Sequence, residues 1–243
     1  MKPTAQLSNA SQRPGRFYTT FLLLLCLAWP LRATDRYLAP GRPDGVALLA
    51  PPPAPGSAEE AADLQMSREL VKARTSAETA QAKEAARLSV FYFAQAIGPV
   101  FQPGKLPKTE ALLAQIKKDI REPINTPKNH WKRLRPYQMD ASLTFGQPES
   151  SFSYPSGHST VGTVEALVLA ELFPEKREAI LELGRQIGWD RVLTGYHFLT
   201  DVRAGRVLGQ AIVREMMDNP FFQHDLAEAK AEIAAATQPA ESH

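Results

Sequence analysis

From Ser57 to about Ala236 the apolar side chains return every three or four positions, and nowhere do they alternate between turn residues as a hairpin strand would. That period commits the chain to helices, because a half-buried sheet needs a repeat of two. Leu112, Leu113, Ile116 and Ile120 form one stripe; Val161, Val164, Val168 and Leu172 form a second. Ile180, Leu183 and Ile187 form a third, after Pro174. Ser57 with Glu60, and Thr75 with Glu78, have the spacing of capping boxes opening two alanine-rich helices. The second is predicted to run through Leu88, Phe91 and Ile97 until Gly98-Pro99 stops it. Asp201 to Met217 reads as a helix whose small residues, Ala204, Gly205, Gly209 and Ala211, let a neighbour approach. Pro220 opens a last amphipathic helix. The expected fold is all-α and a single domain.

The 243 residues are 44% hydrophobic and 22% charged, enough for one buried core and incompatible with disorder throughout. A net charge of +2 gives no basis for a nucleic-acid polymer as partner. The single cysteine, Cys26, excludes an internal disulfide framework and a multi-cysteine zinc site. The one long apolar run, Phe17 to Leu31, follows Lys2, Arg13 and Arg16, with no acid before Asp35. That is the layout of a secretory signal peptide over residues 1–33, with cleavage after Ala33. The chain is therefore expected in the periplasm or outside the cell, with no integral membrane domain once the signal is removed. Pro40, Pro43, Pro51, Pro52, Pro53 and Pro55 make residues 34–56 an extended, non-helical arm. Val46, Leu48 and Leu49 favour an arm wrapped over the domain. Residues 57–237 are then the helical domain and 238–243 a disordered tail.

Three clusters carry groups that a helical core does not need. The first is Lys128, His130, Trp131, Lys132, Arg133, Arg135 and Pro136, which alone reads as a solvated basic segment. The second, Pro155-Ser156-Gly157-His158, alone reads as a turn with an N-cap. In the third, Asp201 alone is a helix-start acid and His197 a satisfied core histidine, with Arg191 close by. Together they suit a phosphoryl group. Lys128, Arg135 and Arg191 are fixed cations, and guanidinium forks match phosphate oxygens. Ser156, Gly157 and His158 lie where a loop enters a helix, so free N–H groups and the positive dipole end can face an anion. Of two histidines, one can attack phosphorus while the other protonates the departing oxygen. Asp201 reaches the His197 ring if that segment is helical.

Lys128-x6-Arg135-Pro136, Pro155-Ser156-Gly157-His158 and Arg191-x5-His197-x3-Asp201 resemble the tripartite signature of the type 2 phosphatidic acid phosphatase superfamily. The likeness is strongest to bacterial class A non-specific acid phosphatases. It extends to the Leu-Leu-Ala-Pro-Pro-Pro-Ala arm, to Ser153-Tyr154 and to Gly195-Tyr196-His197, covering roughly residues 46 to 235. The resemblance implies a helical bundle of the acid phosphatase/vanadium haloperoxidase type. It implies His197 as the nucleophile that becomes a phosphohistidine, His158 as the general acid, and Asp201 as the group orienting His197. Lys128, Arg135, Ser156, Gly157 and Arg191 would bind the phosphoryl oxygens, with no metal and no cofactor. Small phosphorylated substrates are the implied partners, and related enzymes are often homo-oligomers.

One position departs from the pattern: Asp190 stands where the family usually carries serine. It is expected to turn away from bound phosphate and to pair with Arg191 or another cation. The leading reading is an exported acid phosphatase acting on phosphate monoesters. A lipid phosphate or polyprenyl pyrophosphate phosphatase, a vanadate-dependent haloperoxidase and a non-catalytic phosphate-binding protein are the alternatives. Because one histidine must be neutral and the other protonated, a bell-shaped rate profile on the acid side is expected. His130 is placed near the pocket mouth beside Trp131, and His224 and His243 on the surface.

Overall fold

The computed structural model describes residues 36–238. The expected signal peptide and residues 239–243 of the expected tail lie outside the described residues. Within them the chain forms helices α1 (Gly45–Leu48), α2 (Ala58–Ala73), α3 (Ser76–Ala85), α4 (Ala94–Ile97), α5 (Pro107–Asp119) and α6 (Arg121–Trp131). There follow α7 (Pro136–Met139), α8 (Gly157–Leu172), α9 (Arg177–Leu193), α10 (Leu199–Met217) and α11 (Pro220–Thr237). Short 3-10 turns punctuate them, and the described residues contain no strand.

The centre of the bundle is α8. Eleven of its sixteen residues are buried, around its whole circumference, so helices must cover it on several sides. It packs against α9 and α10, with α11 on a further side; α2 and α3 lie on α9, and α5 lies on α11. Glycines set the spacing. A methyl group on Gly205 of α10 would stand 2.6 Å from the carbonyl oxygen of Ser156, and one on Gly184 of α9 would stand 2.4 Å from Cβ of Ala166. Any larger residue at these two positions would push α10 or α9 off α8.

Several local expectations meet tertiary requirements. Residues 36–56 do lie against the domain: Tyr37, Leu38 and Leu49 are buried, whereas Leu48 is exposed. The Tyr37 N–H donates to Asp119 (2.7 Å), and the Tyr154 hydroxyl donates to the Ala50 carbonyl (2.5 Å). The stretch is not wholly extended, because the Asp44 carboxylate accepts from Val46 and Ala47 N–H and starts the one-turn helix α1. The second alanine-rich helix stops at Ala85 instead of reaching Ile97. Leu88 takes a left-handed φ of 46°, and the aromatic run re-enters through a 3-10 turn that buries Phe93. The capping box at Thr75 and Glu78 forms in full. At Ser57 only half of one forms, because the Ser57 N–H already bonds Ala54 and Glu60 turns to the Gly56 N–H.

Candidate active site

Main-chain hydrogen bonds bring the three clusters to one place. Lys132 closes α6 in a left-handed conformation (φ 50°), reversing the chain so that the Arg133 carbonyl accepts the Ser153 N–H at 2.9 Å. The Ser156 N–H in turn donates to the Asp201 carbonyl at 3.0 Å, fastening the start of α8 to α10. The turn between α9 and α10 depends on Gly195, at φ 70°, where a Cβ would meet the Leu143 carbonyl oxygen at 2.3 Å. After that turn Tyr196 and His197 both donate their N–H to the Arg191 carbonyl. His197 therefore precedes the helix. Asp201 reaches it from the first turn of α10, where its carboxylate also accepts the Phe198 N–H at 2.9 Å.

The side chains meet in a buried cluster of charge. Arg135 donates to the Tyr196 carbonyl (3.0 Å) and the Ser151 carbonyl (2.9 Å), and its Nη1 lies 3.2 Å from Nε2 of His197. A guanidinium has no lone pair to offer, so Nε2 is the acceptor and the ring proton sits on Nδ1. Nδ1 faces Asp201 at 3.4 Å and the Ser153 hydroxyl at 3.3 Å, and that hydroxyl donates to Asp201 at 2.6 Å. Lys128 donates to the Phe152 carbonyl, which Arg135 also approaches at 3.4 Å. Gly157 opens α8 beside Lys128, a Cβ there being 3.8 Å from the lysine Cε. Ser156 spends its hydroxyl on capping α8, accepting from Ser159 N–H at 3.3 Å. Arg191 places its guanidinium carbon over the Tyr196 ring, 3.9 Å from its centroid. A carboxylate that the motif does not contain, Glu149, joins Arg135 to Arg191.

Burial and crowding of cations shape the acid–base properties. Lys128 is pushed down to about 7, first by burial and then by Arg135. Burial, and after it Arg135, Lys128 and Arg191, hold His197 well below its ordinary value, so its Nε2 lone pair is free at acid pH. His158 is lowered to about 3 by burial and then by Arg191, while its Nε2 faces the Ala86 carbonyl at 3.2 Å. In this arrangement, then, His158 is neutral except in strong acid. That differs from the expected resting proton donor, and the forces responsible are burial and the neighbouring cations.

The PAP2 superfamily model matches residues 114–224, a span holding all eight residues anticipated for the site. The non-specific acid phosphatase of Providencia stuartii is 32% identical over 201 residues, covering 79% of this chain and 81% of that one. The chain belongs to the PAP2 superfamily. The acid phosphatase of Zymomonas mobilis is 30% identical over 202 residues, 79% of this chain and 76% of its own. Among solved structures, a transmembrane PAP2-type phosphatidylglycerolphosphate phosphatase from Bacillus subtilis shares the fold at a TM-score of 0.51 and 22% identity. That match covers 72% of this chain and 89% of that one. Among the described residues of the present PAP2 chain, no helix is long and apolar enough to cross a membrane.

Around the PAP2 signature the structure adds residues that sequence reasoning did not select. Ser153 bridges His197 and Asp201; the sequence reading includes it in the Ser153-Tyr154 likeness but gives it no role. Arg133 donates to Asp201 at 2.6 Å and to Asp63 of α2 at 2.8 Å, and Thr200 bonds both Arg133 and Asp63. Arg133 had been one of several cations in a basic run, and Asp63 one acid among several on an alanine-rich helix. Asp190 is fully buried but pairs with no cation: Gln186 donates to Oδ1 at 2.7 Å, and Oδ2 has no partner. Arg191, its expected partner, is taken by Glu149 instead, and burial raises Asp190 to about 6. His130 is exposed and meets Trp131 edge-on, and His224 is exposed as anticipated; His243 lies outside the described residues.

Proposed function

We propose that the chain is an exported acid phosphatase that hydrolyses phosphate monoesters through a phosphohistidine on His197. The observation that carries this reading is the contact from Arg135 to His197 Nε2 (3.2 Å). It leaves the lone pair of a buried imidazole facing the cation that would hold the phosphoryl group. Arg135, Arg191 and Lys128 neutralise the phosphoryl oxygens, and the N-terminus of α8 at Ser156 and Gly157 adds its dipole. The Nε atom of Arg191 is buried without a partner, a donor that a phosphoryl oxygen would satisfy.

His197 Nε2 forms a bond to phosphorus as the ester P–O bond breaks, and His158 gives the departing oxygen its proton. Asp201 and Ser153 keep the Nδ1 proton in place and stabilise the positive ring. In the second step neutral His158 takes a proton from water, the new oxygen bonds phosphorus, and the P–N bond breaks to release inorganic phosphate. The charge of bound phosphate offsets the cations that depress His158, and it does so only while phosphate is present.

The same reading keeps residues 1–33 as an export signal, 34–56 as an arm and 57–237 as the phosphatase domain. The test is acid-quenched trapping of labelled phosphate from a panel of chemically varied monoesters, in chelator-treated buffer. Label is expected on His197 and absent in His197→Ala, with turnover unaffected by the chelator. Turnover without label at His197 would refute the intermediate.

A further inference from the structure

The seat between the two guanidiniums already holds an anion. Glu149 places Oε2 2.7 Å from Arg135 Nη2 and bonds Arg191 Nη2 with Oε1. The arginine side chains are 1% and 4% exposed, that of Glu149 30%. One carboxylate spanning two forks meets the donors that two phosphoryl oxygens would meet. Its main chain is fastened separately: the Glu149 N–H donates to the Tyr137 hydroxyl at 3.0 Å, and the Tyr196 hydroxyl donates to the Gln147 carbonyl at 2.9 Å. Further along the loop, Phe145 lies under Arg74 (4.7 Å) and Lys83 (5.9 Å). The carboxylate can therefore leave by side-chain rotation while the loop stays in place.

We propose that Glu149 is a displaceable internal anion that occupies the phosphate seat of the resting protein and sets its affinity for substrate and product. This rests on the reading of Arg135 and Arg191 as phosphate-binding residues. Two buried guanidiniums beside a buried lysine need a counter-charge when no ligand is bound. Glu149 supplies it, and its charge opposes the lowering of Arg191 by burial. A ligand must first evict Glu149, so its apparent dissociation constant rises by the factor to which the plugged form is populated. Ligand and Glu149 exclude one another at the two forks, so that factor is common to all ligands whatever their charge. On the product side, the returning carboxylate competes with inorganic phosphate for the same two forks.

The experiment compares the full chain with Glu149→Gln and Glu149→Ala. Dissociation constants for inorganic phosphate, phenylphosphonate and sulfate are read by calorimetry, which needs no turnover, beside KM for p-nitrophenyl phosphate. All should tighten by one common factor of about tenfold, the scale of one charge-assisted hydrogen bond. Saturating phosphate should also raise the melting temperature of the variants more than that of the unsubstituted chain, which reports folding in the same samples. Unchanged affinities would overturn the proposal. So would a factor that grows with ligand charge, because Glu149 would then stay beside the ligand and repel it. A common factor without hydrolysis in any protein would leave the plug standing and refute the phosphatase reading; phosphate binding to none of them refutes both.

Discussion

Arg133 holds Asp201 at 2.6 Å, so the carboxylate that serves His197 is also half of a second ion pair, and Asp63 at 2.8 Å closes the other side of that arginine. The three form an alternating row of charge with almost no solvent exposure. Removing Asp63 leaves Arg133 with Asp201 alone and breaks a buried charge-assisted hydrogen bond, an interaction worth about 1.5–3 kcal/mol, more than an exposed ion pair contributes. Asp63→Asn should therefore lower the denaturation midpoint well beyond any surface charge change, and should reduce kcat more than it alters KM. Equilibrium unfolding together with steady-state kinetics checks both; a midpoint within experimental error of the unsubstituted chain contradicts the first.

The alkaline limb of activity is expected to follow Lys128. Its ammonium is depressed to about 7, so the charge is present below that pH and is lost as pH rises through it. The value of kcat/KM should fall about tenfold per pH unit above that point, which keeps activity on the acid side. Lys128→Arg, which stays charged, should extend the limb upward at a reduced maximum rate. A limb that does not move in Lys128→Arg assigns the titration to another group.

Asp190 makes a stability prediction. Its folded value, about 6, is above its ordinary one, so the folded state holds the proton more tightly. That contribution is complete below about pH 4 and is lost as pH rises through about 6. Asp190→Asn should abolish this decline and melt about 2–4 °C higher than the unsubstituted chain at pH 7, with little effect at pH 4. Asp190→Ser should change phosphate affinity only modestly, because Gln186 holds the carboxylate. Melting curves at the two pH values, with a phosphate titration, decide the matter.

Gly205→Ala should damage the site through the fold. The added methyl would sit 2.6 Å from the Ser156 oxygen, a main-chain atom that cannot step aside. We expect a loss of about 1–3 kcal/mol in stability. A larger proportional loss of kcat/KM should accompany it, because Ser156 and Gly157 shift with the strand of chain entering α8. A fully active Gly205→Ala protein would show that α8 and α10 can separate without disturbing the cradle.

The long helices were legible because their apolar residues recur at helical spacing: the stripe from Leu112 to Ile120 and the stripe from Val161 to Leu172 are buried in the structure, although α8 buries its other faces too. The three motifs were legible only in combination, because each alone has an ordinary structural reading. The break after Ala85 was not, since Leu88 and Phe91 continue the helical period even though Phe93 can be buried only if the chain turns. That break matters, because it leaves the Ala86 carbonyl free to face His158. Glu149 was invisible for a different reason. A loop has no period, and which carboxylate an arginine pairs with is decided by distance in space; the same fact misdirected the expectation for Asp190.

The amide of Ser156 resting on the carbonyl of Asp201 makes the start of α8 and the His197–Asp201 pair one mechanical part. Variation that retunes which esters are accepted therefore has to accumulate at the rim, in the loop bearing Phe145 and Glu149 and in the connection after Ala85. The floor beneath can drift only as far as two helix starts can move together.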